Sequence, residues 1–354
     1  MKNNFWEKLK KPFFCLAPMA DVTDVAFRYM LAKYGKPART YSDGGGNDRD
    51  KNQVVFWTEF VSADGLCHPE GRKNLMHILK FPKIEKPIVA QVFGANPETM
   101  EKACKIISKL NFDGIDINMG CPDKSVVRQG AGSALIKTPA LAREIIKAAI
   151  RGAGDLPVSV KTRVGFNKEE IDTWIPELLK EDISALTIHA RTKKEMSTVP
   201  ANWDYVKRVV DLVKKSGKKI PVIGNGDVKN LAEAIEKIIK YDCDGVMIGR
   251  GVFGNPWFFS ETTTEHNRPV HQNGHPALEK EGKGERADAL IQHIKIFDKE
   301  LLKKKDKTFA VMKKHFKAYI NGWDGAKELR AKLMLSETPK QAISILTTFQ
   351  KTLK

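Results

Sequence analysis

The chain has 354 residues, 42% of them apolar, and Lys plus Arg exceed Asp plus Glu by 17. That excludes a globally disordered chain and leaves room for one large core and a smaller one, while the basic excess points to a polyanionic partner, nucleic acid foremost. The cysteines at 15, 67, 104, 121 and 243 form no CxxC pair, which argues against a disulfide framework or zinc knuckle and for a reducing compartment, with no metal expected.

The first element is an apolar run over 13–19, broken by Pro18 and followed by Asp21. It is too short for a signal segment or membrane span, so a cytoplasmic, soluble protein is expected, acting as a monomer. It opens a series of eight strand candidates: 13–19, 54–58, 88–93, 114–118, 158–162, 185–189, 222–224 and 245–248. Helical periodicity lies between most of them, over 24–33, 97–110, 139–151, 168–180, 203–215 and 230–240. Pro97 and Pro139 stand where a first-turn proline is tolerated. Eight strands alternating with helices over about 250 residues suit a (β/α)8 TIM barrel. A doubly wound open sheet is the alternative, weakened by the lack of GxGxxG after the first strand.

The Gly-, Asp- and Asn-rich stretch 41–53 reads as a loop inserted before the second strand. Residues 261–285 are polar, with two prolines and three glycines, and read as a linker. Beyond them, 286–354 is Lys-rich and helical in pattern. The expected organisation is a catalytic barrel over 1–260, a linker over 261–285 and a basic helical domain over 286–354.

Barrels of this kind work at the C-terminal ends of their strands. The fourth strand ends in Asn118, and Gly120-Cys121-Pro122 then forces a turn that presents one thiol. Gly130 and Gly132 imply that the following loop closely approaches its own backbone or a ligand. A structural cysteine is the plain alternative for a lone thiol. Lys161 sits inside the apolar fifth strand, where an unpaired ammonium is costly. Either it pairs with Asp116 or it faces an electron-rich cofactor, such as the N1/O2 edge of a reduced flavin. His189 and Arg191 close the sixth strand. Gly224-Asn225-Gly226-Asp227 and Gly249-Arg250-Gly251 follow the seventh and eighth, where such barrels often bind phosphate. Ordinary glycine turns are the alternative for either one alone.

In chain order, Pro18-Met19-Ala20, Thr58-Glu59, Gln91-Val92-Phe93-Gly94, Asn118-Met119-Gly120-Cys121-Pro122 with Gly130-Ala131-Gly132, Val160-Lys161-Thr162-Arg163, His189-Ala190-Arg191-Thr192, Asn225-Gly226-Asp227 and Gly249-Arg250 occur together. This series resembles the tRNA-dihydrouridine synthase family. The likeness extends to Asn321-Gly322-Trp323 and Glu328-Leu329-Arg330 in the late helical segment, which are similar to the family's RNA-binding domain.

The resemblance implies an FMN enzyme that uses NADPH to reduce the C5=C6 bond of uridines in tRNA. By that likeness Pro18, Met19, Ala20, Gln91, Lys161, His189, Asn225, Gly226, Asp227, Gly249 and Arg250 hold the flavin, Asn118 and Arg163 contact the uracil, and Cys121 is the proton donor. The role requires that Cys121 stay a thiol until needed. Lys303, Lys304, Lys305, Lys307, Lys313, Lys314, Lys317 and Arg330 are candidate RNA contacts, with a solvated helix face as the alternative for each. Two departures are expected to matter: Glu195-Met196-Ser197 stands where many members carry an aromatic residue against the base, and the 41–53 insertion has no assigned role. Two other functions fit less well. One is a flavin barrel acting on a free pyrimidine or other small molecule. The other is a catalytically silent RNA-binding protein.

Overall fold

The computed structural model describes residues 4–35, 53–260 and 280–353. The 41–53 insertion, apart from Gln53, and most of the 261–285 segment lie outside the described residues.

Eight parallel strands close on themselves. They are β1 (Phe13–Leu16), β2 (Gln53–Trp57), β4 (Ile88–Phe93), β5 (Gly114–Met119), β6 (Val158–Arg163), β7 (Leu186–His189), β8 (Val222–Asn225) and β9 (Gly245–Ile248). Neighbours pair in sequence order, β9 returns to β1, and the β2–β4 pairing shuts the ring. The closure yields the expected barrel and removes the open-sheet alternative. Every strand is buried almost throughout, as parallel strands covered on both faces must be.

One departure from the expected strands bears on function. Val61–Ser62 form an extra short strand, β3, which takes over pairing with β4 at Val92 and Phe93 after β2 has paired at Ile88 and Val89. After Thr58, whose N–H still donates to the Val89 carbonyl at 3.0 Å, Glu59 and Phe60 leave the ladder. That interruption frees two side chains, Glu59 and Phe60, for other work.

The barrel's lower end is sealed by an element that the strand-and-helix pattern does not show. A 3-10 turn, Phe5–Lys8, is capped by Asn4, whose side chain accepts from the Trp6 N–H. Trp6 stacks near Phe13 and Trp57, with ring centroids 6.0 and 5.8 Å away. Phe5, Trp6 and Leu9 join the inward-facing Cys15, Val55, Trp57, Val89, Ile223 and Met247 in one core. A second, larger core lies between the strands and their helices.

The helices include α1 (Val25–Gly35), α4 (Pro97–Ile107), α6 (Pro139–Ala153), α7 (Ile171–Leu179), α8 (Asp204–Lys215) and α9 (Leu231–Tyr241). Each falls within a few residues of its expected span. Short helices α2 (Ala63–Cys67), α3 (Pro69–Leu75) and α5 (Lys124–Arg128) fill the remaining connections.

The C-terminal part is helical, as its pattern implies: α10 (Lys280–Phe297), α11 (Met312–Tyr319), α12 (Ala326–Met334) and α13 (Pro339–Lys351). α10 already begins at Lys280, inside the segment read as linker. The helical part has its own core, built on Leu290, Ile294, Phe297, Phe316, Tyr319 and Leu333. Val25, Ala26 and Met30 of α1 belong to that core, whereas Phe27, Leu31 and Ala32 of the same helix belong to the barrel. α1 is apolar on two faces because it is shared.

Candidate active site

At the C-terminal ends of the strands lies a cavity of about 370 Å³. Its wall holds Pro18, Met19, Asn118, Cys121, Lys161, Arg163, His189, Asn225, Gly226, Asp227, Gly249 and Arg250. Twelve residues singled out from six strand ends thus converge on one space. Ala20 and Gln91 do not line it. Ala20 is exposed beside the rim, and Gln91 is fully buried behind the wall.

The thiol's turn is built by its neighbours. Asn118 Oδ1 accepts from the N–H groups of Gly120 and Cys121, at 3.1 and 2.9 Å. Its Nδ2 donates to Gln91 Oε1 at 3.0 Å, and Gln91 Nε2 donates to Asp116 at 2.7 Å. Ser159 supplies Asp116 with a second donor at 2.6 Å. This chain explains Gln91: it acts on the cavity through Asn118. Burial nonetheless raises the Asp116 carboxyl to about 6, against the pull of Gln91, Ser159 and Lys161.

The close approach implied by Gly132 is to the turn itself. Gly132 has φ of +59°, and a Cβ there would meet Val126 at 2.8 Å and the carbonyl oxygen of Cys121 at 2.9 Å. The Ser133 N–H donates to that same carbonyl at 3.1 Å. Cys121 sits half-buried against an apolar group that includes Phe60, Phe93, Val126 and Ala131. Burial pushes its thiol above the ordinary range, although the Asp123 N–H, Arg163 and Lys161 oppose the shift. It is held as a thiol, not a thiolate.

Lys161 does not pair with Asp116. Its Nζ donates to Asn225 Oδ1 at 3.0 Å, and Asn225 Nδ2 donates to the Met247 carbonyl at 2.8 Å. Burial, with Arg163 nearby, lowers the Lys161 ammonium to about 8. Burial together with Arg163, Lys161, Arg191 and Arg250 also keeps His189 well below its ordinary range. The imidazole is neutral. Arg191 Nη1 lies 3.3 Å from His189 Nε2; since guanidinium only donates, the ring's own proton belongs on Nδ1.

Asp227 is the single carboxylate on the wall among the described residues, set amid Lys161, Arg163, Arg191 and Arg250. Its carboxylate accepts from Arg191, from Arg250 at 3.0 Å and from the Ala201 N–H at 2.9 Å. Burial alone would raise it; the Ala201 N–H and the two guanidiniums hold it below the usual carboxylate range. Its side chain aims the arginines. A net cationic lining with one carboxylate so engaged suits a phosphate-bearing ligand.

Arg163, besides lining the cavity, makes bonds to the surrounding backbone. Nε donates to the Gly120 carbonyl at 2.9 Å, and Nη1 to those of Thr192 and Met196 at 3.0 and 3.1 Å. It clasps the thiol's turn to the loop after β7. That loop brings Met196 and Ser197 to the wall, so Met196 occupies the place expected of an aromatic. Its backbone stands at φ +53°, a left-handed conformation that few residues with a Cβ adopt.

Comparison with known proteins decides the assignment. Residues 15–354 match the family model described as dihydrouridine synthase (Dus). The chain belongs to the dihydrouridine synthase family. A probable tRNA-dihydrouridine synthase of Staphylococcus aureus (strain COL) is 37% identical over 351 residues, covering 99% of this chain and 97% of the relative. A probable tRNA-dihydrouridine synthase 2 of Bacillus subtilis (strain 168) is 37% identical over 352 residues, 99% of this chain and 98% of the relative. Among solved structures, a 2-naphthoyl-CoA reductase complex superposes with a TM-score of 0.50 at 12% identity. It covers 73% of this chain and 52% of that one, and shows the shared barrel alone. As a family member the protein is a flavin-dependent oxidoreductase that acts on uridine of tRNA.

Arg191 and Ser197, noted in the sequence only as a strand-end residue and as part of the stretch replacing an aromatic, also line the cavity, and so does Phe60, which the sequence analysis missed. Phe60 had no signal, because only the β2–β3 interruption turns it toward the cavity.

Proposed function

We propose that the protein uses FMN, reduced by NADPH, to saturate the C5=C6 bond of a specific uridine in tRNA, with Cys121 giving the proton to C5. One observation supports this above the rest: a thiol kept protonated shares a single cavity with a cationic, glycine-lined anion site.

The residues fit such a flavin. Gly226, at φ +138°, lines the cavity, and a Cβ there would meet Ala201 at 2.7 Å and His189 at 3.5 Å, so the position favours glycine and bare backbone faces the space. Arg250, Arg191, His189 and the Gly226 and Gly249 turns would hold the phosphate end. Lys161 would face the ring's electron-rich edge. When bound, reduced flavin supplies a hydride for uracil C6.

The protein's own part is charge and proton placement. Hydride addition at C6 builds enolate charge on the uracil, and Lys161 lies where it can stabilise charge developing on the pyrimidine or its partner. Asn118 keeps one amide hydrogen beyond that given to Gln91 and can offer it to a uracil carbonyl. Cys121, on the turn Asn118 and Arg163 maintain, protonates C5 and is re-protonated from solvent between turnovers. Phe60 and Met196 supply apolar wall against which a base can lie. A uridine in folded tRNA must swing out to enter.

The decisive experiment incubates purified enzyme, FMN, NADPH and unmodified tRNA and maps dihydrouridine. Dihydrouridine at defined positions supports the reading. Reduction of free uridine without affinity for tRNA would favour the small-molecule alternative.

A further inference from the structure

The C-terminal helical part reaches back to the catalytic rim through a buried cation. Lys307 lies in the segment between α10 and α11, and its side chain is 7% exposed. Its Nζ is 2.9 and 3.1 Å from the two oxygens of Glu59. Asp21 and Asp24 stand 3.6 and 3.7 Å away. Glu59 and Asp24 are themselves buried, at 6% and 2%. Among the described residues Lys307 is the side-chain cation nearest these two buried carboxyl groups: Arg28, although near, gives its hydrogen bonds to Glu85 and the Thr23 and Lys80 carbonyls, and the other donors to Asp24 and Glu59 are the backbone N–H groups of Ala26, Phe27 and Asp21.

The barrel side of this cluster is the rim itself. Asp21 stands at φ +58°, two residues beyond Met19 of the cavity wall. Its backbone groups are held, while its exposed carboxylate lies beside Lys307. Its N–H donates to Glu59 at 2.6 Å, its carbonyl accepts from Lys314 at 2.7 Å, and its carboxylate faces Lys307. Glu59 adjoins Phe60 of the wall and Thr58, whose hydroxyl accepts from the Gln91 N–H at 3.1 Å. Gln91 holds Asn118, and Asn118 holds the Cys121 turn. The interactions run unbroken from Lys307 to both walls of the cavity.

We propose that Lys307, assisted by Lys314, is a positioning residue of the active site: the C-terminal helical part completes the rim formed by the turn after β1 and the β2–β3 interruption. The inference rests on the reading of the cavity as the flavin and uracil site. It also removes Lys307 from the candidate RNA contacts. A cation 7% exposed between carboxylates cannot lie on a phosphate, whereas Lys314, exposed and giving one donor to the Asp21 carbonyl, keeps donors for one.

The test compares Lys307→Met and Lys314→Met with the parent enzyme in three measurements: FMN affinity by fluorescence quenching, tRNA affinity by filter binding, and kcat with KM for tRNA. Hydrogen exchange at the Asp21 amide reports the rim directly. Lys307→Met is expected to lose protection at Asp21, to bind FMN more weakly and to lower kcat by about tenfold to a hundredfold, as displaced catalytic geometry does, with tRNA affinity and KM little changed. Lys314→Met gives the same pattern, smaller. If Lys307→Met does not fold, Lys314→Met decides the matter, because Lys314 is exposed and holds only a carbonyl. Weaker tRNA binding with unchanged kcat, FMN affinity and Asp21 protection would overturn the proposal and make these lysines phosphate ligands. A parent enzyme that bound no FMN would instead sink the functional reading on which it stands.

Discussion

The thiol of Cys121 meets two opposed demands. As the proposed proton donor it must be exposed enough to reach a base, yet stay protonated beside two cations that favour thiolate. Burial against Phe60, Phe93 and Val126 tips the balance to the thiol. Alkylation of Cys121 by iodoacetamide, which needs thiolate, is therefore expected to be slow at neutral pH and to climb only above the ordinary thiol range; rapid labelling at pH 7 would contradict this. Lys161 carries the opposite shift. Its pKa lies near 8 in the free cavity, below its unfolded value, so the ammonium is present below that pH and lost above it. An anionic occupant favours the charged form, so FMN affinity should fall as pH rises through about 8 in a fluorescence titration. Affinity unchanged well above that pH would remove Lys161 from the flavin's surroundings. At this scale the sequence was informative, because Lys161 inside an apolar strand and Cys121 on a glycine–proline turn are locally anomalous. It was uninformative about Arg163 and Gln91, whose partners are backbone carbonyls and a neighbouring amide that no spacing encodes.

Elements of the barrel separate stability from chemistry. The Phe5–Lys8 turn seals the end away from the cavity, and Trp6 is nearly fully buried there. Trp6→Ala should cost about 3–5 kcal/mol, as large-to-small core changes do, read by chemical denaturation, while FMN affinity at low temperature stays unchanged. Gly132→Ala should do the reverse. A left-handed φ and a Cβ 2.9 Å from the Cys121 carbonyl put strain of about 1–3 kcal/mol into the thiol's own turn, and dihydrouridine formation should fall more than stability. Equal losses of both would place Gly132 in the scaffold alone. The eight strands and their helices were legible because buried parallel strands are continuous apolar runs, broken regularly by amphipathic helices. The N-terminal plug and β3 were not legible, since four or fewer residues carry no period. The shared helix α1 looked like any barrel helix; its second apolar face is explained only by the C-terminal core packed on it.

Across the whole molecule the basic excess is divided between two uses. Lys307 is an internal partner of the rim carboxylates, whereas Lys303 and Lys304 form surface pairs with Asp298 and Glu300. Arg330 likewise donates to the Ile320 carbonyl. Lys305 and Lys317 are exposed and remain candidates for phosphate. Affinity for tRNA should fall linearly in log–log form with salt, and Lys317→Glu should weaken it and flatten that slope by about one unit; a slope unmoved by the change would clear Lys317. Net charge announced such a partner, but which cations face it depends on pairing between the barrel and the C-terminal helices, and composition cannot show that. The proposed reaction as a whole depends on Cys121 acting as the acid opposite a reduced flavin, and a single-turnover experiment addresses that proposal most directly. Enzyme reduced by NADPH is mixed with tRNA, and flavin reoxidation is followed for the parent and Cys121→Ala. The expected result is unchanged reduction by NADPH, unchanged tRNA affinity and reoxidation slowed by about a hundredfold or more; reoxidation at the parent rate, with dihydrouridine formed, would contradict the assignment.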